Sequence, residues 1–105
     1  MNLPSKVLFV DEKVRTAFQS LDKSDQSDRE LKEHLIRAFE DLEKNSFCGI
    51  QIPKRLIPKE YLRAYKVDNL WKYNLPGAWR LLYSVASDEI KVISIVLEWM
   101  DHNDY

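Results

Sequence analysis

The feature that most constrains the fold of this chain is a regular alternation of side chains over residues 78–86, directly after a Pro-Gly pair. The segment alternates between two sets of side chains. The first set is Trp79, Leu81, Tyr83 and Val85, and the second is Arg80, Leu82, Ser84 and Ala86. A period of two sends the two sets to opposite faces of a β-sheet, so this segment predicts a strand. Pro76 supplies a fixed φ and Gly77 a positive φ, the combination that a type II turn requires.

Two further strands flank the alternating one. Residues 70–75 precede the turn, and residues 90–99 form a β-branched, apolar run that follows the polar turn at 87–89. The last run is too apolar for solvent on either face, so it predicts a strand in the interior of the sheet. The sequence from 69 to 105 therefore predicts three consecutive antiparallel strands.

The first half of the chain has the periodicity of helices. Residues 6–10 predict a short first strand, and Asp11 stands where a helix N-cap belongs. Ser27 and Glu30 have the spacing of a capping box for a second helix, and Asn45 is suited to a left-handed residue that ends it. The apolar stripe of the second helix is Leu31, Leu35, Ala38, Phe39 and Leu42. The two helices predict a hairpin laid over one face of the sheet.

The middle of the chain predicts smaller elements. Residues 50–56 are strand-like, but Pro53 removes a ladder donor and restricts this strand to a sheet edge or a bend. Residues 59–65 predict one or two helical turns. The prediction for residues 1–105 is thus a single domain of the α/β (α+β) class, in which an N-terminal helix hairpin packs on a twisted, mainly antiparallel sheet.

Composition limits the setting in which the chain works. The single cysteine, Cys48, cannot form a disulfide within the chain, and two histidines are too few for the usual zinc sites, so we expect a reducing cytoplasm and no metal. The sequence has no apolar run of membrane-spanning length and no charged-then-apolar leader. We therefore expect no membrane association and no cofactor.

The net charge of −1 conceals a strong separation of basic and acidic residues along the sequence. Residues 54–80 contain seven basic and two acidic residues, a local charge of +5, whereas residues 11–45 contain ten acids and seven bases. Such a basic block is compatible with a phosphate-binding face, although the acidic remainder would repel a long polyanion.

Arg80 is the most informative single residue, because it interrupts an otherwise apolar strand. A buried guanidinium needs a partner or an anion. It can pair with Glu98 or Asp101 of the last strand, or it can present its planar fork to a phosphate. Both interpretations stay open from the sequence.

Other polar residues have a candidate role in the same region. A helical turn would place His102 and Tyr105 on one side, and histidine is suited to proton transfer near neutral pH. A basic surface for single-stranded RNA could combine Lys54, Arg55 and Lys72 with interleaved aromatic residues. The aromatic residues concerned are Tyr61, Tyr65, Trp71 and Tyr73. Aromatic residues at period two more often belong to the core, so we expect at least half of them to be buried.

The order of elements and the motifs of the last third resemble the RelE/ParE toxin superfamily. The resemblance lies in the strand, the helix hairpin and the meander, and its specific motifs are Trp-Arg-Leu-Leu-Tyr at 79–83 and the terminal His-x-x-Tyr at 102–105. It implies the toxin of a type II toxin–antitoxin system, an endoribonuclease that cuts mRNA on the ribosome without a metal and is neutralised by an antitoxin protein.

The resemblance also implies roles for individual residues. Arg80 would stabilise the charged phosphorane, and His102 or Tyr105 would transfer protons. Lys72, Lys54 and Arg55 would hold backbone phosphates. Two alternatives remain within the same superfamily: a ParE-like inhibitor of gyrase without nuclease activity, and a member that binds an antitoxin but has no activity of its own.

Overall fold

The structure, a computed structural model, describes residues 3–23, 25–87 and 92–101. The helices are α1 (Glu12–Ser20), α2 (Gln26–Lys44) and α3 (Lys59–Tyr65), and the strands are β1 (Lys6–Phe9), β2 (Ile50–Gln51), β3 (Trp71–Leu75), β4 (Trp79–Ser87) and β5 (Val92–Asp101). Short 3-10 turns lie at Leu21–Lys23, Lys54–Leu56 and Pro76–Ala78.

The five strands of the described segments form one mixed sheet in the order β1-β5-β4-β3-β2. The first strand pairs with β5 in parallel, and the other three pairings are antiparallel. The prediction of a mixed helix-and-strand class with a mainly antiparallel sheet is confirmed. The interior position of the last strand is also confirmed, since β5 lies between β1 and β4.

Both N-terminal helices pack against one face of the sheet through a contiguous apolar cluster. The buried residues of α2 lie along its predicted stripe and are Leu31, Leu35, Ala38 and Leu42. They meet Leu81 and Tyr83 of β4, and Phe18 of α1 contacts the rings of Phe39 and Trp99. At about 1.5–3 kcal/mol for each fully buried aliphatic side chain, this face is the main apolar contribution to the fold.

The helix termini agree with the sequence at one end and differ at two others. Asp11 is the N-cap of α1, and its carboxylate accepts the Val14 amide at 2.9 Å. The capping box predicted at Ser27 is wrong, because Asp25 caps α2 by accepting the Asp28 amide at 3.0 Å. A carboxylate at the N-cap also benefits from the positive end of the helix dipole.

The end of α2 does not use a left-handed asparagine. Asn45 is extended, with φ −157° and ψ 108°, and its side-chain oxygen accepts the amides of Leu3 at 2.9 Å and Phe47 at 3.1 Å. The prediction of a left-handed Asn45 is therefore wrong. The side chain ties the chain before β1 to the chain after α2, a role that backbone propensity does not reveal.

The turn between β3 and β4 is one residue longer than the Pro-Gly pair. Gly77 has φ 78° as predicted, but Ala78 also has a positive φ of 64°. Leu75 pairs with Trp79, so β4 begins at Trp79 instead of Ala78. Only residues in extended conformation continue a ladder, and the left-handed Ala78 delays the start of the strand.

The second face of the sheet is partly covered by the segment between β2 and β3. Its buried cluster consists of Ile52, Ile57, Leu70, Leu82 and Leu97, with Tyr61 and Tyr65 of α3 packed against it. A register shift between Leu82 and Tyr83 leaves Leu97 as an extra residue of β5. This bulge places Leu97 and Glu98 on the same side, which interrupts the period of two in β5.

Candidate functional site

Arg80 lies on the sheet face opposite to α1 and α2. Its neighbours in β4, Trp79 and Leu81, pack into the helix-side cluster, so the alternation of the strand directs Arg80 to the other side. The cross-strand partners of Arg80 are Asn74 on β3 and Met100 on β5. Arg80 as a whole is half-buried, its Nε is shielded from solvent, and Asn74 is exposed.

Lys72 shares this face with Arg80. Lys72 pairs with Leu82, which belongs to the cluster of the second face. Because Leu82 is two residues from Arg80 on β4, Lys72 and Arg80 are diagonal neighbours, a relation that separates backbone positions by roughly 7–8 Å. Long cationic side chains on two such positions can act on one anion.

Lys54 and Arg55 belong to the same margin of the sheet. They lie in the exposed 3-10 turn that follows the edge strand β2. A cleft of about 370 Å³ next to them is lined by Pro53 and Leu56 of this region together with Lys72. We call the set Lys54, Arg55 and Lys72 the basic edge.

The register of β4 with β5 gives the backbone positions of Glu98 and Asp101, the two acids predicted as partners of Arg80. Glu98 is opposite Leu82 and therefore on the face of Arg80, whereas Asp101 is opposite Trp79. The Tyr65 hydroxyl donates to Glu98 at 3.4 Å. Burial and the neighbouring Glu98 carboxylate raise the pKa of Tyr65, so its hydroxyl stays protonated and available as a donor at neutral pH.

The predicted aromatic platform is split between the two faces. Trp71 and Tyr73 pack into the helix-side cluster, whereas Tyr61 and Tyr65 pack on the second face. All four side chains are half-buried. The structure thus brings Lys72 together with Arg80 on one face, and it separates Lys72 from Trp71 and Tyr73.

Two predicted catalytic residues, His102 and Tyr105, lie outside the described residues. Sequence reasoning missed the Tyr65–Glu98 pair, because the bulge that brings Glu98 to this face has no signature in the alternation. It also missed Asn74, an exposed amide side chain on β3 that is the cross-strand partner of Arg80.

Neither metal ligation nor a membrane span emerges from the described part of the chain. Within residues 3–23, 25–87 and 92–101, no cluster of three or more His, Cys, Asp or Glu side chains has an arrangement suited to a metal ion. No helix within those ranges has the length and apolarity needed to cross a bilayer.

Comparisons with known proteins found no matching family model, no similar curated protein and no similar solved structure.

Proposed function

We propose that this chain is a RelE-like toxin of a type II toxin–antitoxin system, a cytoplasmic endoribonuclease that cleaves mRNA on the ribosome without a metal and is held inactive by an antitoxin protein. The observation that carries the proposal is the position of Arg80 and Lys72 as diagonal neighbours on one sheet face, next to the exposed Lys54 and Arg55.

The chemistry assigned to this face is an internal phosphoryl transfer. The ribose 2′-oxygen attacks the adjacent phosphorus, the bond to the 5′-oxygen breaks, and the products are a cyclic phosphate and a free 5′-hydroxyl. Arg80 offers a planar fork of donors for the extra negative charge on the phosphorane, and removal of one such donor typically costs about 10²–10³ in kcat. Lys72 binds a non-bridging or neighbouring phosphate oxygen.

Proton transfer is assigned to two residues that follow β5 in the sequence. His102 or Tyr105 would remove the 2′-proton or protonate the leaving 5′-oxygen, a task for a group with a pKa near the working pH. Lys54 and Arg55 hold the backbone of the message on either side of the cut. Their contribution is electrostatic and falls as salt concentration rises.

The decisive experiment is message cleavage in a translation reaction. Purified wild-type protein is added to a reaction with a defined message, and the 5′ ends are mapped by primer extension. We expect cleavage by the wild type, a loss of about 10²-fold or more for Arg80→Ala, and no loss for Arg37→Ala, an exposed arginine on α2 that serves as the matched control.

The fold of each variant is checked by urea denaturation, because Arg80 is half-buried and its removal can also change stability. An intact message with the wild type would remove the nuclease proposal. Equal cleavage by Arg80→Ala and wild type would remove Arg80 from the site.

A second candidate function is inhibition of gyrase by protein contact, as in the ParE branch, and the net charge of −1 favours it over RNA binding. Blocked supercoiling with an intact message would establish this function. An inactive, antitoxin-binding member is the third candidate, and growth arrest on induced expression of the chain excludes it.

A further inference from the structure

The outer margin of the sheet at β2 carries strongly exposed aliphatic side chains. Ile50 is 52% exposed and Leu56 is 57% exposed. Both line the cleft of about 370 Å³, which also includes Ile52, Pro53 and Lys72. Exposed apolar side chains gathered around a concavity, with polar groups at the rim, are typical of a protein-binding site.

The backbone of β2 is open at the same place. The Ile52 amide donates to the Leu70 carbonyl at 2.9 Å, so the backbone N–H of Ile52 faces β3. Because neighbouring residues of an antiparallel strand alternate in direction, the amide and carbonyl of Gln51 point away from β3, to the open edge. An extended peptide can pair with Gln51 and add a strand to the sheet.

The chain next to the cleft is basic. Lys54 and Arg55 lie in sequence between the lining residues Pro53 and Leu56, in a 3-10 turn that is closed by a hydrogen bond from the Leu56 amide to the Pro53 carbonyl at 2.8 Å. The described residues that line the cleft include Lys72 and no carboxylate. This charge complements an acidic partner.

We propose that the cleft at the β2 edge binds an extended acidic peptide whose aliphatic side chains, at alternate positions, contact Ile50 and Leu56 while its carboxylates pair with Lys54, Arg55 and Lys72. Lys72 is half-buried, and a buried ammonium group loses favourable contact with water. A carboxylate of the peptide that pairs with Lys72 compensates for this loss.

Two other occupants fit less well. A second copy related by a two-fold axis would place this patch against itself, so the basic edge would face its own copy across the interface. The phosphates of single-stranded RNA can bind the basic edge, as in the proposed function, but RNA bases bind by stacking on aromatic rings and this cleft is lined by Ile50, Ile52, Leu56 and Pro53.

The inference rests on the proposed function only for the identity of the partner, because an antitoxin would be one such peptide. Peptide binding is measured without RNA or ribosomes. A failure of peptide binding therefore leaves the cleavage experiment unaffected, and the reverse also holds.

The experiment selects peptides of about ten residues from a random display library on the immobilised protein. The probes are then the selected peptides, made with a fluorescent label and titrated by polarisation. We expect acidic sequences with Ile, Leu or Val at alternate positions. Leu56→Ser and Ile50→Thr should each weaken binding by about fivefold or more, and Arg55→Glu by about tenfold.

Matched controls distinguish peptide binding in the cleft from nonspecific binding elsewhere on the protein. Leu8→Ser changes an exposed leucine (39%) on the opposite edge strand β1, and Lys13→Glu reverses an exposed charge on α1. Both should bind within about twofold of wild type. Gln51→Pro removes the outward amide with which the added strand pairs, so it should weaken binding, and unchanged binding would contradict strand addition; circular dichroism verifies that the sheet is intact.

Several outcomes would overturn the proposal. These are the absence of enriched peptides, the enrichment of basic or aromatic sequences, and equal losses for Leu8→Ser and Leu56→Ser. Sedimentation that shows a dimer abolished by Leu56→Ser would assign the cleft to a second copy. Binding of a labelled RNA oligomer that Leu56→Ser abolishes would assign it to RNA.

Discussion

Replacement of Tyr83 by phenylalanine tests whether a single buried hydroxyl organises the connection from α2 to β2. Tyr83 is fully buried, and its hydroxyl donates to the Ser46 carbonyl at 2.8 Å and accepts the Gly49 amide at 3.1 Å. Burial raises the pKa of Tyr83, so the hydroxyl is protonated and able to donate at neutral pH.

The magnitude follows from the two groups that lose a partner. Ser46 is completely buried, so its carbonyl in Tyr83→Phe loses the hydrogen bond from the tyrosine hydroxyl out of reach of solvent, at a cost of about 1–3 kcal/mol. Gly49 is only half-buried, which limits its share of the loss. We expect a loss of about 2 kcal/mol in the free energy of unfolding, and a Tm lower by about 8 °C.

The assay is urea denaturation followed by circular dichroism, with the slope m unchanged between the two proteins. Tyr73→Phe is the matched control, because its hydroxyl donates to Asp41, which is partly solvated and can be rehydrated. We expect less than about 1 kcal/mol for the control. A Tyr83→Phe protein within about 0.5 kcal/mol of wild type would refute the reasoning.

Further predictions concern a close approach, a cap and a titration. Gly49→Ala should unfold the protein or destabilise it more than any surface substitution, because the new Cβ would lie 2.5 Å from the Lys72 carbonyl oxygen. The effect is measured by thermal melting, and a melting temperature equal to that of the wild type would contradict this prediction. Asp25→Ala should cost about 1 kcal/mol in urea and Ser27→Ala close to zero, and the reverse order would restore the capping box. Burial and the hydrogen bond to a carboxylate raise the pKa of Tyr73 to about 12, so it contributes stability that is complete below about pH 10 and is lost as the pH rises towards 12. Tyr73→Phe should flatten this alkaline fall of the urea midpoint, and an unchanged slope would rule out Tyr73 as its source.

The candidate site was accessible to sequence reasoning wherever one strand determines the geometry. Arg80 stands out because a charge interrupts an apolar alternation, and the same alternation correctly puts it on the face opposite to Trp79 and Leu81. The basic block was visible as composition. The sequence could not show that Lys72 lies diagonally to Arg80, because that relation depends on the pairing of β3 with β4.

The position of the acids was also beyond the sequence. Glu98 shares the face of Arg80 only because β5 contains one extra residue at Leu97. A bulge is stabilised by the pairing of two strands, and it leaves no mark on the spacing of either strand alone.

The sequence by itself determined the elements. The period of two in β4, the stripe of Leu31 to Leu42 in α2, the N-cap at Asp11 and the positive φ of Gly77 are local properties, each set by backbone sterics or by side chains within a few residues. These features do not depend on which other helices or strands pack nearby, so they could be predicted without knowledge of the fold.

The tertiary structure determined how those elements are joined, paired and covered. It used Asn45 to join two distant segments, placed α3 over part of the second sheet face, and set the register that makes Lys72 a diagonal neighbour of Arg80. These outcomes depend on contacts between residues far apart in the chain, where several local solutions of similar energy compete and packing determines which one is adopted.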